Sequence, residues 1–303
     1  MTAVRSWEQW STACSLVVTE PEALTAAATI VDDVLADVDR ACSRFRPDSE
    51  LLTLTRDEHG WSDLSPMLAG LLSAALDAAM RTDGAVDPTI GGTLVDLGYD
   101  RDIAEVASGS GADTPVRVVR RPVGWRSLRL DDQRLWMPQG TQLDLGATAK
   151  AVAADLCATA VAGSLDVGVL VSLGGDIATR GSGPEGGWQV TVQDLPTDSP
   201  QQFTLVDGAA VATSSTARRT WLRDGLPMHH LVDPFTARPA TGRWRTATVV
   251  APTCARANTA ATAALVKGDD AVRWLQRMGL PARLVAHDGG VATLNQWPTE
   301  VPA

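Results

Sequence analysis

No C-x-x-C pair, no stretch of apolar residues long enough to span a bilayer, and no excess of basic charge occur in this sequence. Lys plus Arg total 26 against 36 for Asp plus Glu, a formal net charge of -10. Such a balance repels phosphate polymers and anionic lipid, which argues against nucleic-acid and membrane-surface binding. The absence of a membrane-length apolar run argues against membrane insertion. The four cysteines, Cys14, Cys42, Cys157 and Cys254, are scattered. Core thiols in a reducing compartment are the expectation, rather than a disulfide framework or a zinc site. The opening MTAVRSWEQWSTACSLVV has no apolar segment followed by a small-residue cleavage site, so a cytoplasmic protein is expected. There is no internal repeat and no G-x-G-x-x-G, and strands do not alternate with helices at the period of a dinucleotide-binding fold.

What is present is an ordinary globular composition, 45% hydrophobic and 20% charged in 303 residues, enough to bury a core without staples. A first strand is expected around Ser15 to Thr19. Leu24, Ala28, Val31, Leu35, Val38, Cys42 and Phe45 then recur at helical spacing, between Pro21 and Pro47. A second helix is predicted from Ser65 as N-cap and Pro66 at the first helical position, with Gly84 past its end. Residues 103–123 read as a loop leading into short strands, and Asp131-Asp132 as the turn of a hairpin. A third helix follows the Asp144-Leu145-Gly146 run. Strands around the Gly174-Gly175 turn come next, and the last third adds strand, helix, helix and strand. The reading is an α+β protein, with residues 1–303 as a single domain.

Four polar clusters stand out. In GAVDPTIGG (84–92), Asp87, Pro88 and Thr89 between glycines read as a turn, since each residue type favours one. In LDLGATAKAVAADL (143–156), Gly146 and the small residues after it would let a helix N-terminus approach an anion, with Lys150 about one turn in. A capped helix with a solvated lysine explains the same residues equally well. In MHHLVDPFTARPATG (228–242), His229 and His230 would point to opposite faces of an extended segment, so at most one serves a given site. In ANTAATAAL (257–265), Asn258 and Thr262 share a helix face. They suit either a hard cation or a cap with a satisfied core hydroxyl.

Together with SRFRPDSELLTL (43–54), VSLGGDI (171–177), VATSS (211–215) and TATVVAPTCARANTAATAAL (246–265), these segments resemble, in order and from about Trp10 to Gly268, the ApbE family of FAD:protein FMN transferases. The resemblance implies a T-fold-like α+β architecture of mixed and antiparallel sheets packed with helices, with the FAD in a cleft between the halves. It implies that Phe45 lies against the flavin ring with Trp10 on the same wall, and that Ala85, Val86 and Asp87 line the FAD. Asp144, Lys150 and Val232 take FAD-contacting positions, and His230 takes the place of the family histidine. It further implies magnesium held by the Ala147 carbonyl and by Asn258 and Thr262, where the family's pattern is Asp-x-x-x-Thr. Asn258 removes a full charge from that set, so weaker intrinsic cation binding is expected. Two family glycines are alanine here, which leads to the expectation that Ala151 and Ala237 avoid positive φ.

The implied activity is magnesium-dependent transfer of FMN from FAD to a Thr or Ser hydroxyl of an acceptor flavoprotein, with release of AMP and His230 as general base. Magnesium-dependent hydrolysis of FAD to FMN and AMP, and FAD binding without turnover, are the alternatives.

Overall fold

The computed structural model describes residues 1–107 and 119–298; most of the loop expected over 103–123 lies outside the described residues. The chain divides into two compact units. Unit 1 comprises Met1–Leu35, Lys150–Ser215 and Gly242–Ala303; unit 2 comprises Ala36–Ala149 and Thr216–Thr241.

Unit 1 is built on an eight-stranded sheet whose strands lie side by side in chain order: Ala3–Gln9, Thr12–Val18, Val169–Leu173, Asp176–Arg180, Ala210–Ser215, Trp244–Ala251, Ala282–Ala286 and Val291–Leu294. Every neighbouring pair is antiparallel. The first two strands form a hairpin where the sequence predicts a single strand. Ala3–Gln9 has no fully buried position, as befits an edge strand, and so carries no apolar alternation to read. The expected Gly174-Gly175 turn is present. Both residues have positive φ (67° and 98°), as a two-residue hairpin requires, and a Cβ on Gly174 would fall 2.2 Å from Thr12 Oγ1.

On this sheet's unit lie helices Ala149–Leu165, Cys254–Lys267 and Ala271–Met278. A separate hairpin pairs Trp188–Val192 with Gln201–Leu205. Its inward residues Trp188, Val190, Phe203 and Leu205 pack with Leu170, Val211 and Trp297. Each such fully buried side chain contributes roughly 1.5–3 kcal/mol.

In unit 2 the helix Pro66–Thr82 begins as predicted. The Ser65 hydroxyl accepts the Leu68 N–H at 3.2 Å, Pro66 follows, and Asp83 closes the far end in the left-handed region before Gly84. Strands Arg129–Asp131 and Arg134–Trp136 pair across the predicted Asp131-Asp132 turn, and Trp61–Asp63 joins them. Ile90, Leu94, Leu97, Tyr99, Trp221 and Val232 form a core cluster of this unit. The helix Leu24–Cys42, which passes from unit 1 into unit 2 after Leu35, presents Val31, Leu35, Val38 and Cys42 as its buried stripe.

All four cysteines are free and buried. Burial pushes the Cys42 and Cys157 thiols up to about 12, so neither forms a thiolate at neutral pH. A thiol reagent applied to the folded protein is therefore expected to modify none of them, with full reaction only after denaturation. One rapidly modified thiol in the native state would contradict this packing.

Among the described residues, no helix is long and apolar enough to cross a membrane.

Candidate functional site

In unit 1, three chain segments bring four polar side chains together. Lys150 is the second residue of the Ala149–Leu165 helix, Asp176 opens the strand after the Gly174-Gly175 turn, and Asn258 and Thr262 share a face of the Cys254–Lys267 helix. The last helix is anchored at its N-terminus. The Thr253 hydroxyl accepts the Arg256 N–H, and the Asp155 carboxylate accepts the N–H groups of Cys254 (3.0 Å) and Ala255 (2.9 Å). Burial pushes the Asp155 carboxyl above its ordinary range, against the pull of those two N–H groups and of Arg180.

The Asn258 amide donates from Nδ2 to Asp176 Oδ1 at 3.0 Å, and Lys150 Nζ stands 3.4 Å from Asp176 Oδ2. That second contact is close enough for an ion pair but carries no hydrogen bond. As a result, Asp176 Oδ2 and Asn258 Oδ1 are both buried without a hydrogen-bond donor. Asp176 is 2% exposed and Asn258 9%. Thr262 Oγ1 is 2.8 Å from Ser214 Oγ, while Thr213 pairs with Thr248 and Ser215 donates to Asp194, which accounts for the hydroxyl-rich VATSS strand. Buried polar atoms without partners are uncommon in folded chains, and two acceptor oxygens side by side leave room for a water or an ion as their partner. Carboxylate, amide and hydroxyl oxygens together are the donor set of a hard divalent cation, so these residues fit magnesium. Among the described residues no group of three or more His, Cys, Asp and Glu could hold a metal ion.

In unit 2 the candidate residues divide by what their side chains do. Both oxygens of Asp87 are engaged: Oδ1 by the Thr89 N–H and hydroxyl, Oδ2 by the Trp125 N–H at 3.0 Å. That is the turn predicted from its composition. Gly91 lets this turn dock. Its N–H donates to the Gln142 carbonyl, the Asp144 N–H donates to the Pro88 carbonyl, and a Cβ on Gly91 would fall 2.7 Å from Gln142 O. Ala85 and Val86 are buried beside it, and Val232 is a core residue, 3% exposed, that offers a ligand only its backbone. Ala147 is half-buried in the turn before the Ala149–Leu165 helix.

Asp144 is buried, accepting the Gly146 N–H at 2.8 Å and pairing with Arg44 Nε at 2.6 Å. Arg44 in turn lies over the rings of Phe45 (4.3 Å) and Tyr99 (4.4 Å) and donates to the Tyr99 carbonyl at 2.6 Å. Phe45 and Tyr99 are in tilted contact, and Tyr99 stacks on Trp221. Phe45 ends this ladder and is 39% exposed, so it presents an aromatic face. Sequence reading singled out Phe45 and Asp144 but passed over Arg44 and Tyr99, the parts that join them. Arg44 and Asp144 are 100 positions apart, and no spacing rule reaches that far. Trp10 is placed in unit 1, at the tip of the first hairpin with φ 50°.

The strand Leu226–His229 ends before His230, so the alternation expected to separate the two histidines does not run through both. His229 is fixed by a bond to the backbone. His229 Nε2 lies 3.0 Å from the Ala240 carbonyl, which can only accept, so Nε2 carries the proton and His229 is tied to the backbone. His230 is half-buried between that strand and Val232–Asp233, with its Nδ1 enclosed.

Ala151 lies inside its helix, as expected, but Ala237 does not avoid positive φ: it sits at 57°. The Asp233 carboxylate accepts the Phe235 N–H and the Thr236 hydroxyl, and the Asp233 carbonyl accepts the Ala237 N–H. Together these close a tight loop between the paired residues Asp233 and Arg238 and force the last loop residue left-handed. A Cβ there is strained, so Ala237→Gly is expected to stabilise the chain by about 1 kcal/mol, read as a raised midpoint in urea. An unchanged or lowered midpoint would refute that strain.

The ApbE family model matches residues 10–284. Among curated relatives, the FAD:protein FMN transferase of Salmonella typhimurium is 29% identical over 265 residues, covering 82% of this chain and 73% of the relative. That of Escherichia coli K12 is 28% identical over 266 residues, covering 83% and 74%. Among solved structures, the ApbE protein of Thermotoga maritima superposes with a TM-score of 0.81 at 25% identity, covering 98% of both chains. The flavinyl transferase ApbE of Pseudomonas stutzeri, at 22% identity, shares the fold with a TM-score of 0.78 over 97% of this chain and 95% of that one. A match running from the first hairpin to the penultimate strand of the large sheet takes in every cluster described above, and the chain belongs to the ApbE family.

Proposed function

We propose that this chain transfers the FMN moiety of FAD to a Thr or Ser hydroxyl of an acceptor flavoprotein and releases AMP, with magnesium as cofactor. The observation that carries the reading is the buried pair of donorless oxygens on Asp176 and Asn258, next to the Lys150 ammonium. A cation-accepting oxygen set beside a fixed positive charge is what a diphosphate needs, and FAD is a diphosphate. The relatives' name, FAD:protein FMN transferase, supports the same substrate.

In this reading Asn258, Thr262 and the Ala147 carbonyl hold the magnesium, which when bound polarises the diphosphate and neutralises charge on the departing AMP. Lys150 binds a diphosphate oxygen. Phe45, backed by Arg44 and Tyr99, offers its ring to the isoalloxazine, with Trp10 a further aromatic contact. Ala85, Val86, Asp87, Asp144 and Val232 shape the FAD-lining backbone. The acceptor oxygen bonds to the FMN phosphorus while the bond from that phosphorus to the bridging oxygen breaks, and AMP leaves with that oxygen. His230 removes the hydroxyl proton. Four free, buried thiols suit the cytoplasm as its place of action.

AMP release from FAD and magnesium, followed with and without acceptor, tests the reading. Release that depends on the acceptor is expected. Equally fast release without it would make the protein an FAD hydrolase, and none under either condition would make it a flavin binder.

A further inference from the structure

We infer that Asp176, held by Asn258 and opposed by Lys150, is the residue that supplies the negative charge of the cation site, so that the charge missing at position 258 is carried one hydrogen bond away. The inference rests on the proposed magnesium-dependent reading and names the residue that makes it workable with an asparagine in place.

Three observations carry it. The Asn258 amide can donate to Asp176 Oδ1 only through Nδ2, because an ionised carboxylate accepts and never donates; Asn258 Oδ1 must therefore face away from Asp176, free for a ligand. An aspartate at position 258 would instead set two carboxylates about 3 Å apart, an arrangement in which both ionise only with a cation already bound. Asparagine removes that conflict and donates to Asp176 instead. Finally, Asp176, 2% exposed, has no hydrogen-bond donor to Oδ2 among the described residues, and Lys150 Nζ stands 3.4 Å from that oxygen. A buried carboxylate cannot go without a counter-charge, so Lys150 fills that role until a divalent cation takes it over. The exchange leaves the Lys150 ammonium without its carboxylate partner and available to an anionic diphosphate.

The signs of the three substitutions are unlike those of a merely structural ion pair. Manganese(II), which takes the same oxygen ligands and is visible by electron paramagnetic resonance, is titrated into the full chain without FAD, and free and bound ion are counted. Wild type is expected to retain one ion. Asp176→Asn should weaken retention by roughly tenfold or more, Lys150→Met should tighten it by about threefold or more because a competing charge is gone, and Asn258→Asp should change it by less than about tenfold. Thermal melts confirm that each variant is folded, and Lys150→Met keeps the test decisive should Asp176→Asn misfold. The inference is overturned if wild type retains no ion, if Asp176→Asn binds like wild type, if Lys150→Met binds no more tightly, or if Asn258→Asp alone gains more than about tenfold. Failure of acceptor flavinylation with this binding pattern intact would reject the transferase reading and leave the role of Asp176 standing.

Discussion

Replacement of His230 by alanine is expected to slow FMN transfer by about a hundredfold to ten-thousandfold while FAD still binds, the range a correctly placed general base contributes. The expectation follows from the division of labour between the two adjacent histidines. His229 has its Nε2 proton committed to the Ala240 carbonyl at 3.0 Å, in a loop already tied together by the Ala240 N–H to Leu231 carbonyl bond. A ring used that way cannot also accept a proton at the same nitrogen. His229→Ala should therefore cost about 1 kcal/mol of stability for the lost hydrogen bond and leave the transfer rate within a few-fold of wild type. Single-turnover transfer from prebound FAD separates the two variants. A His230→Ala protein that flavinylates at the wild-type rate, or a His229→Ala protein that is the slower of the two, would reverse the assignment.

Arg44→Ala is expected to destabilise the protein by about 3–5 kcal/mol, the cost of stranding one partner of a buried ion pair. Arg44 retains 12% side-chain exposure and Asp144 6%, and among the described residues the guanidinium is the cation paired with that carboxylate, which otherwise accepts the Gly146 N–H. The same substitution removes the guanidinium that lies over both Phe45 and Tyr99, so the exposed Phe45 ring loses part of its backing. FAD affinity should fall with stability. Arg44→Lys should rescue little, because an ammonium has neither the planar face that stacks on two rings nor the fork that reaches both Asp144 and the Tyr99 carbonyl. Urea unfolding and FAD titration of the two variants check this. A lysine variant as stable as wild type would show that charge alone, rather than shape, is what position 44 supplies.

The elements legible in the sequence are those whose determinants are local. Ser65, Pro66 and Gly84 bracket their helix because caps act over a few residues, and the Gly174-Gly175 turn is legible because its φ values leave little choice of residue. The edge strand Ala3–Gln9 and the hairpin Thr220–Arg223 with Leu226–His229 were not legible. The first buries no residue fully, and the second is largely exposed, with Trp221 its single fully buried position, so neither shows the alternation that reveals a half-buried strand. The candidate site divides along the same line. Asn258 and Thr262 could be paired by helical spacing and Lys150 by its place at a helix start. The carboxylate that Asn258 holds, Asp176, lies 82 positions away in the chain, and the sheet brings it there. The expectation of a charge deficit at Asn258 considers that one position alone; Asp176, a neighbour no spacing rule could supply, stands beside it. Ala237 is the reverse case, a local inference overridden by the Asp233 turn.

Co-expression with a candidate acceptor flavoprotein, followed by the acceptor's intact mass and fragment spectrum, shows directly whether FMN is transferred. The acceptor is expected to be heavier by one FMN moiety, joined through phosphate to a single Thr or Ser, and to stay unmodified when His230→Ala replaces the wild type. An acceptor of unmodified mass, with FAD converted to free FMN and AMP or left whole on the protein, would contradict that transfer.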